Sequence, residues 1–278
     1  MTARRATGLE LLDTVDNVAR HEAQRLLLAA TGWTTDQLFV GRRPSPEATS
    51  RFAAMLERRV GGEPVQYIEG TCDFGPLTLR CDPRALIPRP ETEQLWEHAV
   101  RRFTEAPRVV VDVGTGTGCL ALACKLAWPD ALVYGTEASN AALSLAVENV
   151  ALTGLDVTLL VGDLFDPLPE GLRGEVDLII SNPPYLAAAE LEQLPAEVRH
   201  HEPEQALVSG ASGLEVLQRI AEGAGEWLKP GGTIICEISE FRGAATEALF
   251  AAYGAEVLPD LTDRPRFVVG QWAAGDAG

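Results

Sequence analysis

The chain contains 278 residues, of which 46% are hydrophobic, and its mean hydropathy is +0.02. This length suits one large domain or two smaller ones with a buried core. No apolar stretch approaches the roughly 20 residues that a membrane-spanning helix needs, and the N-terminus lacks the apolar run of a signal peptide. We therefore expect a cytoplasmic protein that does not act at a membrane.

The net charge is −17, from 40 acidic and 23 basic residues. Proteins that bind nucleic acid obtain most of their affinity from Lys and Arg side chains on phosphates, and this sequence has no run of such residues. DNA is therefore an unfavourable partner, and we interpret the acidity mainly as a source of solubility.

The cysteines and histidines indicate neither a disulfide framework nor a metal site. Five cysteines give an odd number without a C-x-x-C pair, which is typical of reduced thiols. His200 and His201 are the only clustered histidines, and no cysteine lies near them in sequence. We predict that the protein binds no metal.

The first part of the chain has the pattern of helices. Apolar residues with helical spacing recur over 18–30, and Gly32 follows as a stop signal. A second helix is predicted to begin at Ser45, a hydroxyl cap that Pro46 follows. We assign residues 1–62 to a small all-helical domain.

Residues 63–90 are rich in Gly and Pro, and we predict a linker that carries a β-hairpin around Phe74-Gly75.

From residue 91 to 278, strands and helices alternate. Strands are predicted at 108–114, 131–137, 156–163, 176–185, 232–238, 255–258 and 265–272. Helices are predicted at 117–127, 140–152, 213–228 and 243–253. This alternation predicts an α/β fold with a doubly wound, mostly parallel sheet.

A glycine-rich loop, DVGTGTG (112–118), follows the first of these strands and opens a helix. Glycine permits positive φ and a close approach of the backbone to a ligand. The G-x-G-x-G spacing differs from the G-x-G-x-x-G of dinucleotide-binding loops, and the Gly-Lys-Ser/Thr of a P-loop is missing. Alone, the loop is also compatible with a simple tight turn.

Acidic residues end the next two strands, at the same edge of the sheet. Glu137 can accept hydrogen bonds from both ribose hydroxyls, and Asp163 can meet an adenine edge with the apolar Leu164 beside it. Asp112 could hold an amino group. The set suits an adenosine that carries an amino acid and no phosphate, so we predict S-adenosylmethionine as cofactor and S-adenosylhomocysteine as product. The predicted cofactor-binding residues are Asp112, Gly114, Thr115, Gly116, Thr117, Gly118, Glu137, Asp163, Leu164 and Asn182.

The sequence Asn182-Pro183-Pro184-Tyr185 ends the fourth strand, on the edge that carries the glycine loop. The prolines explain why the strand stops, but they do not explain the flanking Asn and Tyr. An amide NH₂ is a weak nucleophile, because its lone pair is shared with the carbonyl group. The Asn182 oxygen and the Pro183 carbonyl could each accept one N–H, with Tyr185 stacked on the planar group. We predict these four residues as catalytic and substrate-binding, for a planar NH₂ acceptor.

Together these motifs resemble the HemK-type N5-glutamine methyltransferases of peptide chain release factors. The resemblance covers nearly the whole chain. It is carried by VARHEAQRLL (18–27), GEPVQYIEG (62–70), LIPRPETE (86–93), DVGTGTG (112–118), NPPY (182–185), EVRHHEPEQALVSGASGLE (197–215) and RPRFVVG (264–270).

The resemblance implies a seven-stranded sheet of the class I S-adenosylmethionine-dependent methyltransferase type in residues 91–278. It implies that the helical domain helps to recognise the release factor, and that the glutamine of its Gly-Gly-Gln motif is methylated in support of translation termination. LIPRPETE and the long 186–212 segment would border the pocket.

Two features depart from the family pattern: Glu137 stands where an Asp is usual, and 237–242 replaces a Gly and Gln pattern.

Three alternatives remain open from the sequence. A glutamine methyltransferase of a ribosomal protein would need the same site. A DNA adenine-N6 methyltransferase also has a conjugated NH₂ acceptor, but it should flip its base and carry a basic surface, which the net charge disfavours. A binding module that kept the fold without activity is disfavoured by the intact Asn182 and glycine loop.

Overall fold

The computed structural model describes residues 6–273. They form two compact units: the first runs to Thr71 and also contains Pro195–His201, and the second contains Cys72–Leu194 and the chain from Glu202 onward.

The division after Thr71 falls inside the segment that the sequence suggested as a linker. The predicted boundaries of 1–62, 63–90 and 91–278 stay a prediction.

The helices and strands, numbered in chain order, are α1 (Gly8–Leu12), α2 (Arg20–Thr31), α3 (Thr35–Phe39), α4 (Pro46–Val60), α5 (Val65–Glu69), β1 (Thr71–Phe74), β2 (Leu77–Arg80), α6 (Pro90–Arg102), β3 (Val109–Val113), α7 (Cys119–Ala127), β4 (Leu132–Glu137), α8 (Asn140–Thr153), β5 (Thr158–Val161), β6 (Val176–Ser181), β7 (Leu186–Ala187), α9 (Ala196–His201), β8 (Val208–Gly210), α10 (Glu215–Trp227), β9 (Leu228–Glu237), α11 (Gly243–Leu249), β10 (Glu256–Pro259) and β11 (Pro265–Gln271). Among the described helices, none combines the length and the apolar character needed to cross a bilayer.

The first unit is helical, and its core lies between α2 and α4. Leu26 and Leu27 of α2 and Phe52 of α4 are buried together there. Arg59 of α4 pairs with Glu22 of α2 at 2.8 Å beside this core. The apolar spacing that predicted the two helices therefore reflects a packed interface.

The predicted helix signals of this unit are confirmed. Gly32 follows α2 in the left-handed conformation, with φ of 68°, which glycine adopts without a steric penalty. The Ser45 hydroxyl accepts a hydrogen bond from the Ala48 N–H, and Pro46 is the first residue of α4.

The main sheet of the second unit has seven strands in the order β10-β11-β9-β6-β3-β4-β5. Strand β3 runs parallel to β4 and β6, β4 runs parallel to β5, and β6 runs parallel to β9. Strand β11 is antiparallel to both β9 and β10. The predicted mostly parallel, seven-stranded sheet is confirmed.

The chain leaves β3 towards β4 and β5 on one side and returns through β6 on the other. Strands β3 and β6 are buried along their whole length, as expected for strands that are covered on both faces. In open α/β sheets, ligands bind beyond the carboxyl ends of the strands at such a switch point. Two small sheets accompany the main one: the β1-β2 hairpin and the short parallel pair β7-β8.

Some element limits differ from the predicted ones. The predicted strand 176–185 ends at Ser181, because Pro183 and Pro184 have no N–H to donate to a neighbouring strand. Strand β9 begins at Leu228 and not at 232. The predicted helix 243–253 ends at Leu249, and a 3₁₀ turn, Ala251–Tyr253, follows it.

Candidate active site

A cleft in the second unit lies where β3, β4, β5 and β6 end. The predicted residues that line it are Gly114, Thr115, Gly116, Thr117, Glu137, Asp163, Leu164, Asn182 and Pro184. The remaining predicted residues, Asp112, Gly118, Pro183 and Tyr185, lie outside this lining. The structure thus brings the glycine loop and the Asn182-Pro183-Pro184-Tyr185 turn to one cleft.

The glycine loop has the conformation that its sequence predicts. Gly114, Gly116 and Gly118 have φ of 73°, 57° and 84°, values that side chains other than glycine rarely adopt. The N–H groups of Gly114 and Thr115 both donate to the Thr136 carbonyl at 2.9 Å. The loop is thereby anchored to the end of β4, and Gly118 precedes the first turn of α7.

Asp112 is fully buried beneath this loop. Its Oδ2 accepts hydrogen bonds from the Thr115 hydroxyl at 2.5 Å and from the Ala121 N–H at 3.1 Å. Its Oδ1 has no hydrogen-bond partner among the described residues. Burial raises the pKa of Asp112 to about 7, although the hydrogen bonds from Thr115 and Ala121 oppose the shift. The carboxyl group therefore holds the loop to the start of α7.

Glu137, at the end of β4, supports the loop from the other side. One carboxylate oxygen accepts from the Gly116 N–H at 3.0 Å, and the other accepts from the Ser139 N–H at 2.8 Å. Each carboxylate oxygen has a second lone pair, so both can still accept from a ligand. The Glu137 side chain, which is one methylene longer than that of Asp, accepts a hydrogen bond from the loop and also lines the cleft.

Asp163 and Leu164 follow β5 at the rim of the cleft. Asp163 pairs with Arg219 of α10 at 2.6 Å, and both side chains are about half exposed. Leu164 has φ of 46°, a left-handed conformation that is rare for a leucine and is maintained only when surrounding structure enforces it. This backbone turns the apolar Leu164 towards the cleft.

A chain of three hydrogen bonds fixes the turn after β6. The Asn182 Nδ2 donates to the Thr92 hydroxyl at 2.9 Å, and the Thr92 hydroxyl donates to Glu237 Oε2 at 2.7 Å. The Tyr185 hydroxyl donates to Glu237 Oε1 at 3.1 Å. One carboxylate at the end of β9 therefore ties together both ends of the turn and the start of α6.

Glu237 is almost completely buried, with 1% of its surface exposed. Burial raises the pKa of Glu237 to about 7, against the effects of its two hydrogen bonds and of nearby Arg266. Burial also raises the pKa of Tyr185, so the phenol keeps its proton and acts as a donor at neutral pH. The tyrosine hydroxyl points to Glu237, and its predicted stacking on the acceptor stays a prediction.

The parts of the 186–212 segment that belong to the second unit, 186–194 and 202–212, are held within it at several points. Arg242 donates to the Ser212 carbonyl at 2.7 Å, to Glu190 at 2.7 Å and to the Ser239 hydroxyl at 3.1 Å. Arg89 of LIPRPETE pairs with the buried Glu202 at 2.5 Å. Pro203, Gln205 and Ala206 of this segment line the cleft.

Thr92, Glu237 and Arg242 are not among the site residues that the sequence motifs predict. Thr92 lies within LIPRPETE, which the resemblance places at the border of the pocket without a role for this residue, and Glu237 and Arg242 lie within the 237–242 departure from the family pattern. The signal for Glu237 was available: it is an acid at the end of a buried strand, like Glu137 and Asp163, at the same edge of the sheet.

Comparisons with known proteins agree with this architecture. Residues 3–70 match the PrmC N-terminal domain, and residues 92–212 match the Methyltransferase small domain. The chain also resembles the solved structure of a methyltransferase from Pyrococcus furiosus, with a TM-score of 0.55, 18% identity and coverage of 81% of this chain and 99% of that one. At this identity the structural likeness shows the fold alone.

Two curated relatives are much more similar in sequence. The release factor glutamine methyltransferase of Deinococcus radiodurans is 45% identical over 240 residues, which cover 84% of each chain. The protein of the same name from Geobacter sulfurreducens is 40% identical, with coverage of 85% of this chain and 82% of the relative. The match extends across both units, so the chain belongs to the family of release factor glutamine methyltransferases.

Proposed function

We propose that this protein transfers a methyl group from S-adenosylmethionine to the side-chain amide nitrogen of a glutamine in peptide chain release factors. The glutamine is that of the Gly-Gly-Gln motif, and the modification supports translation termination. We propose accordingly that the reaction takes place in the cytoplasm and that neither a membrane, DNA nor a metal ion is a partner.

The proposal rests on one observation: residues of the turn after β6 and of the glycine loop line the same cleft. Asn182 and Pro184 line the same cleft as Gly116 and Glu137. A methyl transfer needs donor and acceptor atoms at close range, and well-aligned reactants can gain on the order of 7–11 kcal/mol. A turn that faced away from the glycine loop could not provide this alignment.

The cleft residues fit S-adenosylmethionine in shape and charge. Glycines at 114 and 116 leave the backbone of the loop open to a ligand, since nothing lies within 4 Å of where a Cβ would be. We assign the ribose hydroxyls to Glu137, and the adenine ring to Asp163 and Leu164. Asp112 lies beneath the loop, so we assign to it the support of the loop and not direct contact with the amino group.

S-adenosylmethionine, when bound, supplies an electrophilic methyl group. The part of this chain is to bind the acceptor NH₂ and to orient its lone pair. The Asn182 Oδ1 accepts one N–H and the Pro183 carbonyl accepts the other, and the rigid proline backbone keeps that carbonyl in place. As the nitrogen bonded to the methyl carbon, the methyl–sulfur bond would break to leave S-adenosylhomocysteine, and the surplus proton on the nitrogen would pass to solvent.

The experiment that tests the proposal is a methyl-transfer assay with labelled S-adenosylmethionine and the full chain. Four acceptors are compared: a release factor, the same factor with the glutamine of Gly-Gly-Gln replaced by alanine, a ribosomal protein and duplex DNA. We expect label only in the unmodified release factor, and mass spectrometry should locate one methyl group on the glutamine side chain.

Label in the alanine-substituted factor at an unchanged level would contradict the assigned acceptor. Preferential labelling of the ribosomal protein or of DNA would contradict the proposed substrate class, and would favour one of the two alternative acceptors.

A further inference from the structure

Thr92, Asn182, Tyr185 and Glu237 form a hydrogen-bonded network beside the cleft, in which Thr92 and Glu237 are buried and Asn182 and Tyr185 are partly buried. Thr92 is 2% exposed and Glu237 is 1% exposed, so water does not compete effectively for their polar groups. Thr92 belongs to α6, Glu237 ends β9, and the other two residues belong to the turn after β6. The network therefore joins three elements that are distant in sequence.

While Glu237 is ionised, the hydrogen bonds of this network have a fixed direction. An ionised carboxylate only accepts hydrogen bonds, and a threonine hydroxyl has a single hydrogen to donate. The Thr92 hydrogen is directed to Glu237 at 2.7 Å, so Thr92 presents only its lone pairs to Asn182. The Asn182 amide must then direct its NH₂ group to Thr92, as it does at 2.9 Å.

The direction of these hydrogen bonds determines which atom of the Asn182 amide is available in the cleft. The oxygen and nitrogen ends of an amide have nearly the same shape, so packing alone does not select between them. Within residues 6–273, no hydrogen bond engages the Asn182 Oδ1. With its Nδ2 held by Thr92, Asn182 has its acceptor oxygen available for an N–H group.

We propose that Thr92 and Glu237 are positioning residues that select the orientation of the Asn182 amide in which its oxygen faces the acceptor nitrogen. This inference rests on the proposed function, because only an acceptor with N–H groups needs an oxygen at this point. In the flipped orientation Asn182 would set its own N–H groups against those of the glutamine, and the acceptor would be repelled.

The protonation state of Glu237 controls the network. When Glu237 is protonated it can donate to Thr92, which frees the Thr92 hydrogen for the Asn182 oxygen and stabilises the flipped amide. The charged groups that act on Glu237 are Arg266 of β11, which favours the ionised form, and Glu91 of α6, which opposes it. Tyr185 donates to the same carboxylate from the turn.

Burial raises the pKa of Glu237 to about 7, so the carboxylate loses its charge as the pH falls through this value. Turnover at saturating S-adenosylmethionine should then fall with it.

The test compares Thr92→Val, which keeps the shape of the side chain but has no hydroxyl, with Thr92→Ser, which keeps the hydroxyl. Both are assayed with the full chain, a release factor and S-adenosylmethionine between pH 6 and 8.5. We expect Thr92→Val to reduce kcat by about 10- to 100-fold, a loss in the range that a small misplacement of reacting groups produces. We expect Thr92→Ser to recover most of this loss, and the Kd for S-adenosylmethionine to change little in both variants.

The pH profile separates positioning from a merely structural role. Wild-type kcat should rise with pH through about 7, whereas Thr92→Val and Glu237→Gln should lack this rise. A Thr92→Val variant with wild-type kcat and a wild-type pH profile would overturn the inference. If Thr92→Val does not fold, the pH profile of Glu237→Gln serves as the test in its place. A wild-type pH profile in Glu237→Gln would also overturn the inference.

The two proposals fail in different ways. If the wild-type protein does not methylate the release factor, the proposed function is wrong. If the wild-type protein does so and the two variants behave as wild type does, only the positioning role is wrong.

Discussion

Two buried carboxylic acids, Asp112 and Glu237, support the glycine loop and the turn after β6, respectively. Burial raises the pKa of each to about 7. They differ in their donors: Asp112 accepts from the glycine loop and the start of α7, whereas Glu237 accepts from Thr92 and Tyr185. Asp112 therefore stabilises the loop that is predicted to bind the cofactor, and Glu237 stabilises the turn that is predicted to bind the acceptor.

The raised pKa of Asp112 predicts a pH dependence of stability. Between its ordinary value of 3.8 and about 7, the folded protein binds more protons at this group than the unfolded chain does. Stability contributed by this group is therefore present at low pH and is lost as the pH rises through 7. Asp112→Asn, which does not titrate, should lack this contribution.

We expect the wild-type protein to lose about 2 kcal/mol more of its unfolding free energy than Asp112→Asn between pH 5 and 8. Urea unfolding of both proteins at several pH values measures this difference. The titration of Glu237 is common to both proteins and cancels in the comparison. Parallel pH profiles would show that Asp112 has an ordinary pKa.

Among the supersecondary contacts of the second unit, Arg242 binds the 186–212 segment near both of its ends. The guanidinium bonds to Glu190 near one end of the segment and to Ser212 at the other. Gly213, where the segment joins α10, has φ of 79°, and a Cβ there would lie 2.8 Å from the Tyr185 carbonyl. The segment is thus held closely against the turn that follows β6.

Removal of the Arg242 guanidinium should make the 186–212 segment less well fixed where it borders the cleft. A hydrogen bond that involves charged groups contributes about 1.5–3 kcal/mol, so we expect Arg242→Ala to raise the KM for the release factor by about tenfold or more. The Kd for S-adenosylmethionine should stay within about twofold, because the glycine loop is unaffected.

Arg101→Ala is a matched control, since Arg101 lies on the exposed face of α6 and pairs there with Glu97. A KM for Arg242→Ala equal to that of the control would show that the segment does not position the substrate.

Elements with local signals could be predicted from the sequence. The α2 and α4 helices have apolar spacing and end signals in their own residues, and β3 is a continuous apolar run. The glycine loop and the Asn182 turn follow directly from short motifs. By contrast, Thr92 and Glu237 are 145 positions apart, and no local pattern indicates that their side chains meet.

The role of Arg242 was unpredictable for a related reason. Two of its partners, Glu190 and the Ser212 carbonyl, lie on a segment without long regular elements, whose path depends on tertiary packing and not on periodicity. The inclusion of Pro195–His201 in the first compact unit depends in the same way on contacts between distant parts of the chain.

At the scale of the whole molecule, the two units divide the predicted tasks. Residues 3–70, most of the first unit, match the PrmC N-terminal domain, and we propose that this unit helps to recognise the release factor. The second unit contains the entire cleft, from the glycine loop to the turn after β6. The topology of its sheet accounts for this arrangement, since β3 and β6 are neighbours at the switch point.

The central claim is that Asn182 holds the acceptor nitrogen at the methyl group. Its most direct test is a single-turnover assay of Asn182→Ala with a release factor, together with a titration of S-adenosylmethionine. We expect the rate of transfer to fall by about 10²–10³, the loss typical of removing one hydrogen-bonding group that acts in the transition state. We also expect the Kd for S-adenosylmethionine to remain close to that of the wild type. Wild-type transfer by Asn182→Ala would contradict the account.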